Sequence, residues 1–488
     1  MTTYDLLIVG GGINGTAIAR EAALNGLSVL LVERGDLAGA TSSASTKLIH
    51  GGLRYLEYYD FRLVAEALAE RERLVKAAPH IIRPMRFVLP HEHAVRPWWM
   101  VRLGLWLYDR IGGKSTLEPS RGLKRSDLAY AAPLKGSGRG FVYSDAFVDD
   151  ARLTVLNAID AADNGAEIAV GRALESARRD GDVWRARLSN GQDVAALGLV
   201  NAAGPWVAEL LGRLGVDAAA GVRLVKGSHI VVPRLYDGDH AYLLQQPDRR
   251  VVFAIPYHGD FTEIGTTDVP VDAPEDAVID ADEIAYLCDA VNGHLHRQIT
   301  PGDVVSSWSG VRPLYDDGAS EARAVTRDYV LELDTAGPPL LSVFGGKITT
   351  ARHLAEEAVG KIAVPLKRDV HRATRGRAFP GGSITVFDAF FDQVRTRWPF
   401  LGDARARRMA QAYGTELAAM LADVDSDAAM GESFGGGLSE VEARWMHDRE
   451  WARSPADALE RRSKLVLQMT SGEQERFSRW WADAWPGG

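Results

Sequence analysis

The apolar and polar positions of the first 33 residues have the pattern of a strand, a glycine loop, a helix and a second strand, in that order. The apolar run DLLIV (5–9) leads into glycines, TAIAREAALNG (16–26) has helical periodicity, and LSVLLVE (27–33) is again strand-like. This order predicts one βαβ unit, the building block of parallel nucleotide-binding sheets.

Further along the chain the period of the pattern changes twice. Helical repeats begin at Asp60 and at the pair Asp149-Asp150, on either side of a first inserted region. Between residues 222 and 340 strand-like runs dominate, with one helix predicted over 281–296, which indicates an antiparallel sheet. After about residue 375 the pattern indicates a linker followed by helices.

We therefore predict an α/β protein with three domains. A Rossmann-type nucleotide-binding domain is interrupted by a sheet-rich substrate domain, and an all-helical domain follows. The predicted limits are 1–75, 145–215 and 340–370 for the first domain, 76–144 and 216–339 for the second, and 380–488 for the third.

Composition narrows the classes of function. The formal charge of −9 argues against a nucleic-acid partner held by bulk electrostatics. Cys288 is the single cysteine among 488 residues, which excludes a disulfide framework and a cysteine zinc site and fits a reducing, cytoplasmic compartment. No run of about 18 uncharged apolar residues occurs, which excludes a conventional spanning helix. We predict no metal site.

The first chemical signal is G-x-G-x-x-G between the first strand and its helix. Gly10 permits the tight turn, Gly12 lets the backbone approach a pyrophosphate, and Gly15 allows close helix packing. Glu33 ends the second strand, where an acidic side chain can accept hydrogen bonds from ribose hydroxyls. Together these features predict dinucleotide binding; the alternative is a fold that has lost its ligand.

The residues after Glu33 favour FAD over NAD. The run LAGATSSASTKLIHGG (37–52) is rich in hydroxyls and small side chains, as expected of a loop around an extended cofactor; the alternative is a solvated loop. An NAD domain typically continues with further βαβ units, whereas this chain inserts other material and returns to the nucleotide at NAAGPW (201–206) and FGGKITT (344–350).

Several longer segments carry a family resemblance that runs from about residue 4 to about residue 480. Their order and spacing resemble bacterial FAD-dependent glycerol-3-phosphate dehydrogenases, within the D-amino-acid-oxidase-like flavoproteins. The segments are VGGGINGTAIAREAALNGLSVLLVE, TSSASTKLIHGGLRYLE, VDDARL, NAAGPW, KGSHIVVP, IGTTD, SGVRPL, TRDY and LLSVFGGKITT.

The resemblance implies a reaction and a location. Such enzymes oxidise sn-glycerol 3-phosphate to dihydroxyacetone phosphate, reduce FAD and pass the electrons to membrane quinone. They are usually homodimers held peripherally at the inner face of the cytoplasmic membrane. Mitochondrial relatives add calcium-binding EF-hands, but the acidic stretch starting at Asp423 has Ala428 and Phe434 where such a loop needs Gly and Glu, so we interpret it as a solvated loop.

The cofactor-binding residues predicted from these motifs form three groups along the chain. They are Gly10, Gly12, Ile13, Asn14, Gly15, Glu33 and Arg34; Thr41, Ser42, Ser43, Ser45, Lys47, Leu48, Gly51 and Gly52; and Ala173, Ala202, Ala203, Gly204, Trp206, Gly310, Arg312, Gly345, Gly346, Lys347, Ile348, Thr349 and Thr350.

The substrate implied by the resemblance needs a phosphate site. Arginine forks suit phosphate oxygens, and Arg54, Arg312 and Arg327 match the family positions in GGLRY, GVRPL and TRDY. Each could instead form a structural salt bridge. Tyr55 either lines the pocket or packs.

Oxidation at carbon 2 also needs a group that takes the hydroxyl proton. His50 and His229 lie in the matching motifs, and His50 has the stronger claim because it is four residues from Arg54; the alternative for both is a core histidine. The amides of Gly345 and Gly346 and the charge of Lys347 would face the negative charge that develops on reduced flavin, unless the lysine only extends from a helix start into solvent.

Two tryptophan-rich stretches raise the question of a membrane surface. RPWWMVRLGLWLYDRIG (96–112) has the mixed character of an interfacial helix, and Trp480, Trp481 and Trp485 form a second candidate. We interpret the first as core packing and the second as packing between domains. Two rival functions stay open: an oxidase that gives hydrogen peroxide, and a sensor that binds FAD and a phosphoester without turnover.

Overall fold

The computed structural model describes residues 2–53, 56, 59–92, 96–124, 126–136, 138–216, 221–316 and 328–486. Its strands are β1 (Thr3–Val9), β2 (Val29–Glu33), β3 (Leu48–Ile49), β4 (Ile82–Pro90), β5 (Arg121–Gly122), β6 (Gly140–Val148), β7 (Glu167–Val170), β8 (Leu174–Asp180), β9 (Val183–Leu188), β10 (Asp193–Asn201), β11 (Gly221–Pro233), β12 (Ala241–Gln245), β13 (Val251–Tyr257), β14 (Phe261–Gly265), β15 (Val269–Val271), β16 (Ser306–Asp316), β17 (Val330–Asp334), β18 (Leu340–Phe344), β19 (Ser433–Gly435) and β20 (Leu438–Ser439).

The α-helices connect these strands and make up most of the C-terminal region. They are α1 (Ile13–Leu24), α2 (Phe61–Ala77), α3 (Trp98–Ile111), α4 (Leu128–Ala131), α5 (Asp150–Asp163), α6 (Val207–Arg213), α7 (Ala281–Asn292), α8 (Ala351–Leu366), α9 (Phe387–Arg397), α10 (Gly402–Tyr413), α11 (Leu417–Met420), α12 (Glu440–Asp448) and α13 (Ser471–Ala484). A short π-helix occupies Asp457–Arg462.

The first sheet has a parallel core in the order β18, β10, β1, β2, β7. Leu6, Leu7 and Ile8 of the central strand are fully buried because both faces are covered. Helices α1, α5 and α8 pack together on one face, and the antiparallel β8–β9 pair and α6 cover the other. The predicted βαβ unit is therefore confirmed, and its glycine loop lies at the carboxyl end of the sheet, where such folds bind ligands.

The second sheet runs in the order β15, β11, β14, β13, β12, β4, β6, β3, with β16 along the other side of β11. Its pairings are antiparallel, as predicted, except for the parallel contact between β12 and β4. Two strands join the sheet opposite to the one predicted. β3 belongs to this sheet although it lies within 1–75, and β17 pairs with β18 in the first sheet although it lies within 216–339. The domain limits remain our proposal.

Local sequence signals predicted where helices α2 and α5 begin. The Asp60 side chain accepts a hydrogen bond from Leu63 N and caps α2 as predicted. The Asp149 side chain caps α5 in the same way, by accepting from Arg152 N, at the helix start that the sequence indicated. The C-terminal region is helical apart from the β19–β20 hairpin. Trp480, Trp481 and Trp485 pack within this region, in a cluster around Phe434 and Phe477, rather than between domains as predicted.

Helix α3 differs from its interpretation as core packing. Leu105 and Tyr108 are buried, but Trp99, Met100, Leu103 and Trp106 are exposed. Among the described residues, no helix is both long enough and apolar enough to cross a membrane.

Candidate active site

The glycine loop after β1 has no room for side chains. Gly10 has φ +114°, and a Cβ there would lie 2.4 Å from the Ala202 carbonyl oxygen. A Cβ on Gly15 would lie 1.9 Å from the Gly10 oxygen, so these glycines let α1 begin close against the strand ends. The Gly12 end of α1 has no side-chain cap, although the Ile13 amide donates to Ser42 Oγ at 2.9 Å.

Glu33 is fixed at the end of β2. Its carboxylate accepts hydrogen bonds from the Gly11 amide at 2.6 Å and from the Gly35 amide at 2.8 Å. These bonds leave lone pairs on both oxygens, so the carboxylate can still accept from a ribose at the position that the sequence indicated.

A cleft of about 400 Å³ opens between these loops. Among the predicted cofactor residues, those that line it are Gly10, Gly12, Ile13, Asn14, Glu33, Arg34, Thr41, Ser42, Ala173, Ala202, Ala203, Gly204, Trp206, Gly345 and Gly346. Residues that we did not predict also line it, including Asp36, Arg172, Arg213, Asp457 and Arg461.

The segment with Gly345 and Gly346 contacts the glycine loop after β1, although 331 residues separate Asn14 from Gly345. Asn14 Nδ2 donates to the Gly345 carbonyl oxygen at 3.0 Å, and a Cβ on Gly346 would lie 2.7 Å from the same Asn14 nitrogen. Asn14 Oδ1 is buried and has no hydrogen-bond partner among the described residues. An acceptor left open in a cradle of glycines, together with the fixed Glu33 carboxylate, fits a bound dinucleotide.

Lys47 and Ser45 differ from their predicted role as cofactor ligands. The Lys47 ammonium group contacts both Asp150 oxygens, at 2.9 and 3.0 Å, and donates to the Ser43 carbonyl. Ser45 Oγ donates to the same carboxylate at 2.7 Å. Since Lys47 is only 2% exposed, its charge anchors the loop to α5 and does not face the cleft.

His50 lies beside the segment that follows Gly345 and Gly346. The His50 amide contacts Thr349 Oγ1 at 3.4 Å, and the charge of Lys347 acts on the ring. Burial lowers the pKa of His50, against the opposing charge of Asp145. The Gly52 amide donates to His50 Nδ1 at 3.0 Å, so a neutral ring carries its proton on Nε2.

A buried hydrogen-bond network, which the sequence did not reveal, holds the backbone next to His50 in place. The Gly51 amide donates to Tyr108 Oη at 2.7 Å, and Tyr108 Oη contacts both Asp145 oxygens at 2.9 Å. Arg71 Nη1 donates to Asp145 at 2.7 Å. Neither the tyrosine in α3 nor the aspartate in β6 belongs to a recognised motif, so no local signal could have found them.

His229 lies on β11 and is close to Thr46. Thr46 and His50 lie toward opposite ends of one short segment, residues 46–52. His229 Nε2 is 2.9 Å from Thr46 Oγ1, and the His229 ring stacks on Trp308 with centroids 5.5 Å apart. Burial, reinforced by Lys47 and Arg312, lowers the pKa of His229 to about 3. A Cβ on Gly265 of the paired strand would lie 2.0 Å from the ring, so only glycine fits there.

Glu263 was not predicted and shares this pocket. Its side chain is fully buried, Oε1 is 3.9 Å from His229 Nε2, and neither oxygen has a hydrogen-bond partner among the described residues. Burial raises the pKa of Glu263 to about 8.

The predicted phosphate arginines are described only in part. Arg312 donates to the Thr267 carbonyl at 3.1 Å and to Asp268 at 3.2 Å, and it remains partly exposed. Arg54, Tyr55 and Arg327 lie outside the described residues.

The remaining predicted residues do not line the cleft. They are Ser43, Leu48, Gly51, Gly52, Gly310, Lys347, Ile348, Thr349 and Thr350. A Cβ on Gly310 would lie 3.1 Å from Ala44, which brings β16 against the hydroxyl-rich loop.

Comparison with known proteins gives this arrangement a family. Residues 5–352 match the family model described as FAD dependent oxidoreductase. The chain is 49% identical to the glycerol-3-phosphate dehydrogenase of Pseudomonas aeruginosa, over 98% of this chain and 94% of that protein. It is 45% identical to the D-erythritol 1-phosphate dehydrogenase of Brucella abortus, over 99% and 98% respectively.

A solved structure agrees with the fold. The X-ray structure of glycerol-3-phosphate dehydrogenase from Bacillus halodurans in complex with FAD superposes with a TM-score of 0.78 at 27% identity, and the match covers 99% of this chain and 91% of that one. The predicted cofactor and the D-amino-acid-oxidase-like fold are thus confirmed. The chain belongs to the family of FAD-dependent oxidoreductases.

Proposed function

We propose that the protein oxidises the secondary alcohol of sn-glycerol 3-phosphate to dihydroxyacetone phosphate. The observation that carries the proposal is segment 46–52, which holds Thr46 against His229 and places His50 beside Thr349 and within the field of Lys347. The near full-length similarity to a named glycerol-3-phosphate dehydrogenase supports the choice of substrate.

The two histidines have separate roles in this proposal. Bound FAD supplies the hydride acceptor. His50 donates from Nε2 to the reacting oxygen, because the Gly52 amide occupies Nδ1. His229 is neutral and its Nδ1 lone pair has no hydrogen-bond partner among the described residues, so it accepts the hydroxyl proton.

Arg312 binds the phosphate in this arrangement. Its guanidinium group already contacts Asp268 near the protein surface, and a phosphate dianion would replace that carboxylate as the stronger bidentate partner.

Anaerobic mixing tests the reaction and the substrate together. We expect sn-glycerol 3-phosphate to bleach the flavin absorbance and unphosphorylated glycerol to leave it unchanged. A higher kcat/KM for D-erythritol 1-phosphate would move the proposal to the four-carbon substrate of the Brucella relative. No bleaching by either phosphoester would refute catalysis and favour the sensor.

We also propose that membrane quinone accepts the electrons and that the protein is a peripheral membrane homodimer. Helix α3 supports a membrane contact, because its exposed Trp99, Leu103 and Trp106 lie on a helix that also carries Arg102 and Arg110.

Vesicle sedimentation tests this contact. We expect Trp99→Ser/Leu103→Ser to release the protein from vesicles with anionic lipid, whereas Leu128→Ser, at another exposed apolar residue, should not.

The electron acceptor and the dimer need separate tests. Peroxide formation in air at the rate of flavin reduction would establish the oxidase in place of the quinone-linked enzyme. Light scattering at a monomer mass would contradict the dimer.

A further inference from the structure

The segment that follows β2 is held by the C-terminal region. Asp36 lies three residues after Glu33, in the wall of the cleft. Its carboxylate accepts from Arg461 Nε at 2.6 Å, and from Arg462 Nη1 and Nη2 at 2.8 and 2.6 Å. These arginines come from more than 420 residues further along the chain, so the cofactor cleft is built from both ends of the sequence.

Two consecutive arginines reach one carboxylate because of the local helix geometry. Arg461 and Arg462 end the π-helix Asp457–Arg462, whose wider turn differs from that of an α-helix and is often found at functional sites. Arg462 has a side-chain exposure of 0% and also donates to the Glu450 carbonyl oxygen. Arg461 lines the cleft and is additionally paired with Asp457. Arg461 Nη1 also lies 3.7 Å from Glu460. One arginine therefore anchors the loop, and the other, at the cleft wall, balances the carboxylates of Asp36, Asp457 and Glu460.

The same C-terminal segment, residues 450–464, also fastens the start of α5. Arg152 forms a bidentate pair with Glu450, at 2.8 and 3.1 Å, and Lys464 pairs with Asp149. The adjacent Asp150 holds Lys47 and Ser45 of the hydroxyl-rich loop. Both loops that leave the first sheet toward the cofactor are thus connected to residues 450–464 through buried charges.

We propose that the C-terminal domain is part of the FAD site: residues 450–464 hold the 34–40 loop against the cofactor cleft, and Arg461 neutralises carboxylates in the cleft wall that would otherwise repel the anionic dinucleotide. Leu37 and Ala38 of this loop are buried against the first domain, and the Asp36 link adds a second anchor that fixes the side of the loop facing the cleft. The cofactor should leave faster when the Asp36 link is broken. This inference needs only FAD, and it stands whichever phosphoester is the substrate.

Titration of apoprotein with FAD tests the link without any substrate. We expect Arg461→Gln and Arg462→Gln to raise the Kd for FAD about tenfold or more, measured by flavin fluorescence, since each removes a charged partner of a buried carboxylate. We expect the off-rate to rise accordingly. Arg449→Gln is the matched control, because Arg449 joins the same two regions through a bidentate pair with Asp163, at 2.7 Å for both bonds, away from the cleft. Its Kd should change less than about twofold.

Thermal unfolding of each apoprotein separates docking from general stability. The inference is overturned if folded Arg461→Gln and Arg462→Gln apoproteins bind FAD with unchanged Kd, or if Arg449→Gln weakens FAD as much as they do. Should Arg462→Gln fail to fold, the partly exposed Arg461 decides alone: Arg461→Lys, which keeps the charge, must bind FAD more tightly than Arg461→Gln.

Discussion

The pockets of His50 and His229 lie at the two ends of segment 46–52, but the carboxylate near each histidine is held differently. Around His50 the nearby carboxylate, Asp145, is fully engaged by Tyr108 and Arg71. Around His229 the nearby carboxylate, Glu263, is fully buried and has no hydrogen-bond partner among the described residues. Both rings have lowered pKa values, mainly through burial.

This difference separates a rigid pocket from one that titrates. A satisfied buried network fixes geometry, whereas an unsatisfied buried carboxylate keeps its proton until the pH rises well above its ordinary pKa. We infer that the His50 side positions the reacting oxygen and that the His229 side, which accepts the hydroxyl proton in the proposed reaction, changes its charge as Glu263 titrates.

The largest effect is expected at His50. His50→Ala removes the donor to the reacting oxygen and should slow flavin reduction by about 10²–10⁴-fold, measured by anaerobic stopped flow. His371→Ala, at an exposed histidine, should leave the rate unchanged. His50→Asn keeps a donor and should recover part of the loss; a larger loss in His229→Ala than in His50→Ala would reverse the two roles.

The next effect concerns pH and Glu263. Its pKa is about 8 when folded against an ordinary 4.5, so between these values the folded protein keeps a proton that the unfolded chain has released. The contribution of Glu263 to the free energy of unfolding should therefore fall as pH rises from 4.5 to 8. Glu263→Gln should remove this loss, on the order of 3–5 kcal/mol by pH 9, in urea titrations across pH.

The acid side supplies the control for that titration. Because the pKa of His229 is lowered from 6.5 to about 3, its contribution to stability should rise with pH between those values. In wild type this rise opposes the loss from Glu263 between pH 4.5 and 6.5. The control is therefore the rise below pH 4.5, which both proteins should show, and the effect of Glu263 is measured between pH 6.5 and 8. An alkaline slope that is identical in wild type and Glu263→Gln would show that Glu263 does not carry the proton.

A smaller effect is expected at Tyr108. Tyr108→Phe leaves the buried Gly51 amide without its acceptor and removes one of the donors to Asp145, which should cost about 1–3 kcal/mol in urea unfolding. Flavin reduction should slow while KM changes little, since the tyrosine positions His50 and does not contact substrate. Tyr143→Phe, in the same core cluster, is the control for loss of a hydroxyl; equal effects in the two variants would contradict the positioning role.

The contrast between the pockets also marks what sequence could predict. Gly10, Gly15 and Glu33 follow from local rules, because a strand, a tight turn and a helix start place them within one βαβ unit. Caps such as Asp60 are equally local. The fold class and the cofactor could therefore be derived before any coordinates.

The supporting residues could not be predicted, for a physical reason. Asp145, Glu263 and Arg461 act through contacts between strands and domains far apart in sequence, and a buried acid looks the same in a sequence as a solvated one. Lys47 shows the converse: its motif position indicated a cofactor ligand, but Asp150, 103 residues away, takes up its charge.

The smallest effect is expected at Thr46, the one side chain of the shared segment that touches His229. Thr46→Val keeps the shape and removes the hydrogen bond to His229 Nε2, which should cost about 0.5–1.5 kcal/mol in unfolding free energy. If His229 accepts the hydroxyl proton, freeing Nε2 should slow flavin reduction only a few-fold, because Nδ1 keeps its lone pair and Trp308 still holds the ring. Thr262→Val, which removes the acceptor of the Leu235 amide on a strand of the same sheet as His229, is the control. A rate loss in Thr46→Val as large as that of His50→Ala would mean that the segment, and not either histidine, limits the chemistry.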